Sequence, residues 1–163
     1  MSGDPLSETL VAASDLLAAS PSFQEWVGSD PAATRVHLLV ARAQAPRPFA
    51  LIDFNDFVRE RDTATNRVRF RQRSSSALVV WFQADVPPSL DDADAALQFC
   101  SNLGRVWLDL ELAAGSYQAP SLGVHLIELA VPPIRIAEEE RETAGDFYEA
   151  ALSVSFTRSP NHG

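Results

Sequence analysis

The chain has 163 residues, of which 46% are hydrophobic and 21% are charged, as is typical of one globular domain. Thirteen basic residues against twenty-two acidic residues leave a formal charge of -9, which disfavours a protein that holds nucleic acid by its phosphates. The single cysteine excludes a disulfide within the chain, and no uncharged run approaches the roughly 18 residues that a membrane helix needs.

Two helices are predicted at the start of the chain. An Asp-Pro pair suits an N-cap and a first turn, and apolar residues then recur at helical spacing, which predicts a helix from about Pro5 to Ala19. Ser20 and Pro21 repeat this signal, and Gly28 is suited to end a short second helix.

Extended segments are predicted after these helices. Residues Arg35 to Ala41 are strand-like, and prolines at positions 46 and 48 then interrupt the chain before a second strand from Phe49 to Phe54. The polar composition of the segment from Asn55 to Thr65 predicts a loop.

A β-hairpin is predicted next. Arginine occupies every second position from Arg67 to Arg73, and an apolar strand from Ala77 to Val86 follows three serines that suit a turn. With the serines at the tip, Val68 would face Phe82 across the ladder. In such a hairpin the numbers of facing residues sum to about 150. The prediction is wrong if residues related in this way do not pair across the two strands.

The main helix is predicted after Pro87-Pro88, which ends the preceding strand. Asp91 is a good N-cap, and an apolar stripe then predicts a helix from about Asp92 to Ala113. Gly104 costs about 1 kcal/mol relative to alanine, so we expect another backbone to approach it closely. Cys100 lies in the stripe, so its thiol is expected to be buried. The predicted stripe consists of Ala96, Cys100, Leu103, Trp107 and Leu110.

The last third of the chain predicts two strands. Leu122 to Val131 is almost entirely apolar, which favours a central position in a sheet. From Tyr148 to Phe156 apolar and polar residues alternate, so one face is suited to a core and the other to water or a polar partner.

The order of these elements predicts an α+β fold over residues 1–163 as a single domain. A mostly antiparallel β-sheet is expected to carry the long α-helix on one face, with N-terminal helices and a protruding β-hairpin. The order of strands and helices is not regular enough for a doubly wound fold.

No residue pattern predicts catalysis or a cofactor. The sequence lacks a Gly-x-Ser-x-Gly elbow and a phosphate-binding glycine loop, and its three histidines have no second metal ligand at a suitable spacing. His37 and His125 could approach each other in the sheet, although a structural, hydrogen-bonded histidine is the commoner outcome. We therefore expect no enzyme activity, no metal and no cofactor.

Two charge patterns are candidates for a contact between subunits. Both are explained equally simply as solvated faces. In the more specific interpretation, a basic stripe of one subunit contacts an acidic run of the next, as in a head-to-tail ring. The planar guanidinium group of arginine suits such a contact, because it can bind a carboxylate with two hydrogen bonds. The basic stripe consists of Arg67, Arg69, Arg71 and Arg73, and the acidic run consists of Glu138, Glu139, Glu140 and Glu142.

Several segments follow one another in a distinctive order along most of the chain. They are LLAASPSFQEWVG, PRPFALIDF, LVVWFQADVP, a long helix and AVPPIRIAEEERETAGDFYEAALSVSF. The most specific features are the strand that runs into an aspartate and a proline before the helix, and the Gly-Asp-aromatic start of the final strand. This succession resembles the tail terminator proteins of long-tailed, siphophage-like bacteriophages. The arginine-rich hairpin does not match the family pattern.

The resemblance implies a structural virion protein without catalytic activity. Such a protein forms a homohexameric ring that caps the head-proximal end of the phage tail tube, ends tube polymerisation and joins the tail to the head connector. The implied partners are the tail tube protein and a head-tail connector or stopper protein, with genomic DNA only as transiting cargo and no membrane. The implied location is the tail-neck region of the virion, after assembly in the host cytoplasm.

Two alternatives stay open. The first is a different neck subunit, such as a head-completion or stopper protein. The second is a small ligand-binding α+β domain or a small enzyme, for which a metal or nucleotide carried through purification would be the distinguishing observation.

Overall fold

The computed structural model describes residues 5–42, 44–54, 57–61, 68–72, 77–114, 116–117, 122–128, 135–136 and 147–158. Its helices confirm the three that the sequence predicts. They are α1 (Pro5–Ala19), α2 (Pro21–Val27) and α3 (Asp92–Ala114), with a short 3-10 helix at Ala32–Arg35.

Capping residues determine where α2 and α3 begin and end. The Ser20 hydroxyl accepts a hydrogen bond from the backbone N–H of Phe23, and Gly28 ends α2 with a φ of 91°. The Asp91 carboxylate accepts a 2.8 Å bond from the backbone N–H of Asp94 at the start of α3. Both N-caps are those predicted from the sequence.

The strands form one larger sheet and a separate two-stranded pair. The strands are β1 (Val36–Leu38), β2 (Phe49–Phe54), β3 (Phe57–Arg61), β4 (Val68–Gln72), β5 (Ala77–Asp85), β6 (Leu122–Glu128), β7 (Arg135–Ile136) and β8 (Phe147–Arg158). In the larger sheet the order is β1-β2-β5-β8-β6, and β7 also pairs with β8. β1 runs parallel to β2, whereas the other described pairs are antiparallel, so the α+β fold and the mostly antiparallel sheet are confirmed.

The hydrophobic core lies between one face of this sheet and the helices. The even-numbered residues of β5 from Leu78 to Ala84 and of β8 from Tyr148 to Phe156 are buried, because alternate residues of a strand point to the same face. They pack with apolar residues of all three helices in one cluster. The predicted core face of the last strand is therefore confirmed. On its other face Glu149, Ser153 and Ser155 are half-buried, whereas Ala151 is buried.

The predicted hairpin is centred on the wrong residues. β5 has β2 on one side and β8 on the other, so neither of its edges is open to β4. Instead, β4 pairs with β3, and Phe70 lies opposite Arg59. The two strands β3 and β4 are joined through residues 62–67, not through the three serines, which lie outside the described residues. The expected loop from Asn55 to Thr65 therefore contains a strand.

β6 is not a central strand. It pairs with β8 at the end of the sheet order, and it ends at Glu128, before the predicted end at Val131. β1 and β6 are separated by three strands, a distance of roughly 19 Å at 4.8 Å per strand. Hence His37 of β1 and His125 of β6 do not approach each other, contrary to the sequence prediction.

The buried face of α3 is rotated from the predicted stripe. Cys100 is exposed, so its expected burial is wrong, and Ala96 and Trp107 are only partly buried at the edge of the core. Leu97, Leu108 and Leu112 are exposed to 67%, 50% and 78%. The buried residues of α3 are Ala95, Phe99, Leu103, Val106 and Leu110.

Gly104 has open space beside it in the described part of the chain. A Cβ atom built at this residue has nothing within 4 Å, so the expected close approach is wrong for the described chain. We expect Gly104→Ala to raise the free energy of unfolding by about 1 kcal/mol, because alanine favours a helix interior and fits without a clash. Urea unfolding followed by circular dichroism measures the change, and Ser101→Ala at an exposed position of α3 is the control, with a smaller gain. A loss of stability in Gly104→Ala would contradict the prediction.

A short, irregular edge ends the sheet at β1. β1 has three residues, and Leu39 directly after it has a φ of 65°, in the left-handed region that disfavours L side chains. The Leu39 N–H still bonds the carbonyl of Ile52 at 2.8 Å, and the next residue, Val40, is 74% exposed.

In the described part of the chain, no helix combines the length and apolar character needed to cross a membrane.

Candidate functional site

A cleft opens at one end of the sheet, where β2 and β8 begin and β5 ends. The antiparallel register brings these three strand ends together, with Phe49 opposite Gln83 and Asp85 opposite Phe147. The cleft has a volume of about 270 Å³. Its walls come from these strand ends, from the first half of α3 and from the end of α2. It is therefore an open end of the layer between sheet and helices.

Aromatic side chains form much of the cleft wall. Trp26 of α2 packs against Phe99 of α3 with ring centroids 5.6 Å apart and an interplanar angle of 66°. Phe99 in turn contacts Tyr148 of β8 at 5.3 Å. Each offset or edge-to-face aromatic pair of this kind contributes about 0.5–1.5 kcal/mol to stability beyond the effect of burying apolar area. The aromatic wall is thus held by three different elements.

A hydrogen bond network joins the N-terminus of α2, the helix that carries Trp26, to α3. The Asp109 carboxylate accepts a 2.7 Å bond from the Ser20 hydroxyl and a 2.8 Å bond from the backbone N–H of Ser22. Burial alone would raise the pKa of Asp109, but the bonds from Ser22 and Ser20 outweigh it and hold that pKa below its ordinary value. An acid of one helix therefore completes the N-terminal cap of another.

Arg47 forms the polar corner of the cleft. Its guanidinium group lies 4.1 Å from the centre of the Phe147 ring and 3.1 Å from a carboxylate oxygen of Asp85. The Arg47 Nε also donates to the side-chain oxygen of Gln83 at 3.5 Å, and Gln83 donates to Glu149 at 2.9 Å. The Arg47 side chain is 14% exposed, while that of Asp85 is 64% exposed. Arg47 is thus held in place, whereas Asp85 remains accessible.

Further polar groups line the cleft on α3. Gln98 is exposed and Asn102 is half-buried, and both face the cleft because they lie one helical turn apart. Asp91 and Asp94 precede the cleft residues Ala95 and Gln98 by one turn and are exposed. The cleft lining itself therefore combines one acid, Asp85, and one base, Arg47, with an aromatic wall and two amides.

His37 of β1 is an unusual group outside the cleft, on the face of the sheet opposite the core. Its Nε2 atom is buried and has no hydrogen bond partner among the residues that the structure describes. The His37 ring makes an edge-to-face contact with Phe49 at 5.3 Å. Burial lowers the pKa of His37, and the positive charges of Arg42 and Arg35 lower it further. The folded chain therefore favours neutral His37.

We expect His37 to make the folded state less stable in acid. Because its pKa is lower in the folded than in the unfolded chain, its contribution is fully present above about pH 6.5 and is lost as pH falls towards the folded pKa. The free energy of unfolding should decline less between pH 7 and pH 5 in His37→Gln than in the wild type, by urea unfolding. An identical decline in the two proteins would contradict this role.

The structure describes only two of the residues predicted to join subunits. Arg69 and Arg71 lie in β4, opposite Glu60 and Val58 of β3. The remaining predicted interface residues lie outside the described residues, so the expected contact stays a prediction. They are Arg67, Arg73, Glu138, Glu139, Glu140 and Glu142.

Metal ligands and relatives of the chain also bear on function. Within the described ranges, no group of three or more His, Cys, Asp or Glu side chains could hold a metal ion. No protein-family model matches the chain, and no curated protein matches it.

Proposed function

We propose that the chain is a structural subunit of a bacteriophage tail, a terminator that forms a homohexameric ring at the head-proximal end of the tail tube. The ring would bind the last tube ring, end polymerisation and offer its other face to the head connector. The partners would be the tail tube protein and a connector or stopper protein, and genomic DNA would only pass through.

The observation that carries this proposal is the succession of motifs from LLAASPSFQEWVG to the final alternating strand, which follows the order of the tail terminator family. The fold is compatible with that order, since the final strand and the long helix occupy the predicted segments. The basic stripe and the acidic run of the sequence also suit assembly into a ring, because head-to-tail contacts join unlike surfaces.

Electron microscopy of virions assembled without this protein tests the proposal. A missing terminator should leave tails that are longer than normal and carry no head, because nothing stops tube polymerisation. Supplying the wild-type gene from a plasmid is the control and should restore normal tails. Tails of normal length joined to heads in the absence of the protein would refute the proposal.

Binding assays separate the terminator from another neck subunit. A terminator should co-sediment with purified tail tubes, whereas a head-completion or stopper protein should co-sediment with heads that carry the portal. Binding to heads and not to tail tubes would favour a head-completion or stopper protein.

The aromatic cleft favours one further candidate, a small ligand-binding domain. Concave sites with apolar walls and a few polar groups are the usual sites for small ligands. Native mass spectrometry of the purified chain tests this candidate, because a retained ligand adds mass that denaturation removes. A chain that carries such a ligand and does not affect tail length would be a binding domain.

A further inference from the structure

We infer that the apolar turn after β1 of one copy of this chain binds the outer face of α3 of a second copy. The inference deepens the proposed function and rests on its ring, because it names one contact between neighbouring subunits. It is separate from the predicted contact between the basic stripe and the acidic run, which stays a prediction.

The turn after β1 presents three consecutive apolar side chains to solvent. Leu38, Leu39 and Val40 are all exposed. The Val40 N–H bonds the Leu38 carbonyl at 2.7 Å, which closes a three-residue turn around Leu39 with its φ of 65°. Residues strained in this way cost about 1–3 kcal/mol each and cluster at binding and active sites. A contiguous apolar patch also marks an interaction site, whereas apolar residues exposed singly do not.

The outer face of α3 is apolar and has a shallow depression. Leu97, Leu108 and Leu112 are exposed, and with 3.6 residues per turn their directions fall within about 60° of one another. Ser101 and Gly104 lie on the same side, in the stretch of about 16 Å between Leu97 and Leu108. Both residues are small, and a Cβ atom at Gly104 meets nothing within 4 Å. The depression therefore has a leucine at each end and room for a side chain between them.

The two surfaces belong to opposite ends of the sheet order. β1, which carries the turn, is the first strand in that order, whereas α3 packs against β8 and β6 at the other end. The outer face of α3 also points away from the sheet, because the buried residues of the helix point towards the core. The turn of one copy therefore does not cover its own α3, and a second copy is needed to bring the two surfaces together.

The charges around the two surfaces are opposite. Arg42 is exposed and lies two residues after Val40. The other two arginines of residues 31–52 pair with Asp30 and Asp85, and this segment contains no acid. The exposed surface of α3 carries three acids against one base, a net charge of -2, and opposite charges attract and orient two surfaces. The exposed acids of α3 are Asp92, Asp94 and Glu111, and its exposed base is Arg105.

The contact is small and heterologous. From Leu97 to Leu112 the outer face is about 22 Å long, and a helix is about 10–12 Å wide, so the contact buries less than the roughly 800 Å² per partner of a standard stable pair. A single contact is therefore weak. Each copy can donate one turn and receive another, and such contacts close into a ring when the rotation between copies allows it. Closure then holds each copy by two contacts.

Chemical cross-linking of the full chain tests the inference, because it traps weak contacts. The one cysteine of the chain, Cys100, is exposed on α3, about one turn from Gly104. The variant Val40→Cys therefore carries a thiol near each surface, and a short bis-maleimide can join the new thiol of one copy to Cys100 of the next. We expect a ladder of dimers and larger products on a denaturing gel.

Proteins with a single thiol are the matched controls. The wild type and Val40→Cys with Cys100→Ser should each give only monomer, because a heterologous contact brings unlike positions together. An equal mixture of these two proteins should give a dimer and nothing larger, since each partner has only one thiol.

Substitutions in the outer face of α3 test whether the cross-link depends on it. In the Val40→Cys background, Leu97→Gln with Leu108→Gln should lower the cross-linked fraction about tenfold or more, because both ends of the depression become polar. Leu90→Gln should leave the fraction unchanged, since Leu90 is also an exposed leucine but precedes α3. Thermal melting reports whether each variant folds, and Leu112→Gln takes the place of the double variant if that is unfolded.

Three results would overturn the inference. They are the absence of a ladder from Val40→Cys, cross-linking of the wild type through Cys100 alone, which would indicate two paired α3 helices, and a folded leucine variant that cross-links as its parent does. These results are separate from the test of the proposed function. Overlong tails without a ladder would refute the turn contact alone. Normal tails joined to heads, together with a ladder, would refute the terminator role and leave the contact between copies standing.

Discussion

Replacement of Phe82 with alanine is expected to lower the free energy of unfolding by about 3–5 kcal/mol. Phe82 is fully buried in β5, the strand between β2 and β8. Its ring lies 6.1 Å from that of Phe23 in an edge-to-face contact and 6.1 Å from that of Trp26 in a stacked contact. The substitution would therefore leave a cavity between the central strand and α2, which the surrounding backbone cannot fill.

Chemical denaturation followed by tryptophan fluorescence measures this loss. Phe82→Leu is the matched control, because it keeps most of the apolar volume and should cost less than about 1.5 kcal/mol. Equal losses in the two variants would contradict the cavity explanation. Since Trp26 stacks on Phe82 and also lines the cleft, Phe82→Ala should disturb the cleft as well.

Replacement of Asp109 with alanine is expected to lower the free energy of unfolding by about 2–3 kcal/mol. The change removes the acceptor of two charge-assisted hydrogen bonds, from Ser20 and Ser22, and leaves the hydroxyl of Ser20, a residue that is 3% exposed, without this partner. Glu111→Ala is the matched control at an exposed position of α3 and should change stability by no more than about 0.5 kcal/mol.

The pH dependence of stability provides a second measurement of this network. The pKa of Asp109 is lowered in the folded chain, so its contribution is present above the unfolded value near 3.8 and is lost as pH falls towards the folded pKa. The difference between the wild type and Asp109→Ala should therefore shrink below about pH 4. A difference that stays constant down to pH 2 would show that the carboxylate charge plays no part.

The helices and the last strand could be predicted because their signals are local. The N-caps Ser20 and Asp91 and the C-cap Gly28 act within one helical turn, and the alternation of β8 directly reflects a sheet with one face in the core. The predicted face of α3 was less accurate. A stripe through Ala96 and a stripe through Phe99 share Leu103 and Leu110, so helical spacing alone did not separate them, and the larger Phe99 ring lies in the core.

Strand pairing could not be predicted, because it depends on contacts between distant segments. The alternating arginines of β4 and the serines after them are compatible with a turn at the serines or with one at residues 62–67. Burial decides between them: β5 is apolar and has paired strands on both sides, so β4 must pair with another strand. The sequence of β3 predicts a loop because a two-stranded pair with a polar face carries little apolar signal.

The cleft was also beyond sequence prediction. Its wall combines Trp26, Arg47, Asp85, Gln98 and Tyr148, which come from five separate segments of the chain. The sequence contains only two local signals near the cleft. They are the prolines after Asp85, where β5 ends, and the N-cap Asp91, where α3 begins. What brings these side chains together is the common end of β2, β5 and β8.

The edge of the sheet at β1 limits how copies of this chain can join. An incoming strand could pair with at most the three residues of β1 before the left-handed conformation of Leu39 turns the backbone away. Main-chain hydrogen bonding at this edge is thus too short to propagate a continuous sheet through a series of molecules. Any contact between copies at this edge would therefore depend on side chains, so single substitutions there could alter it without changing the architecture of each molecule.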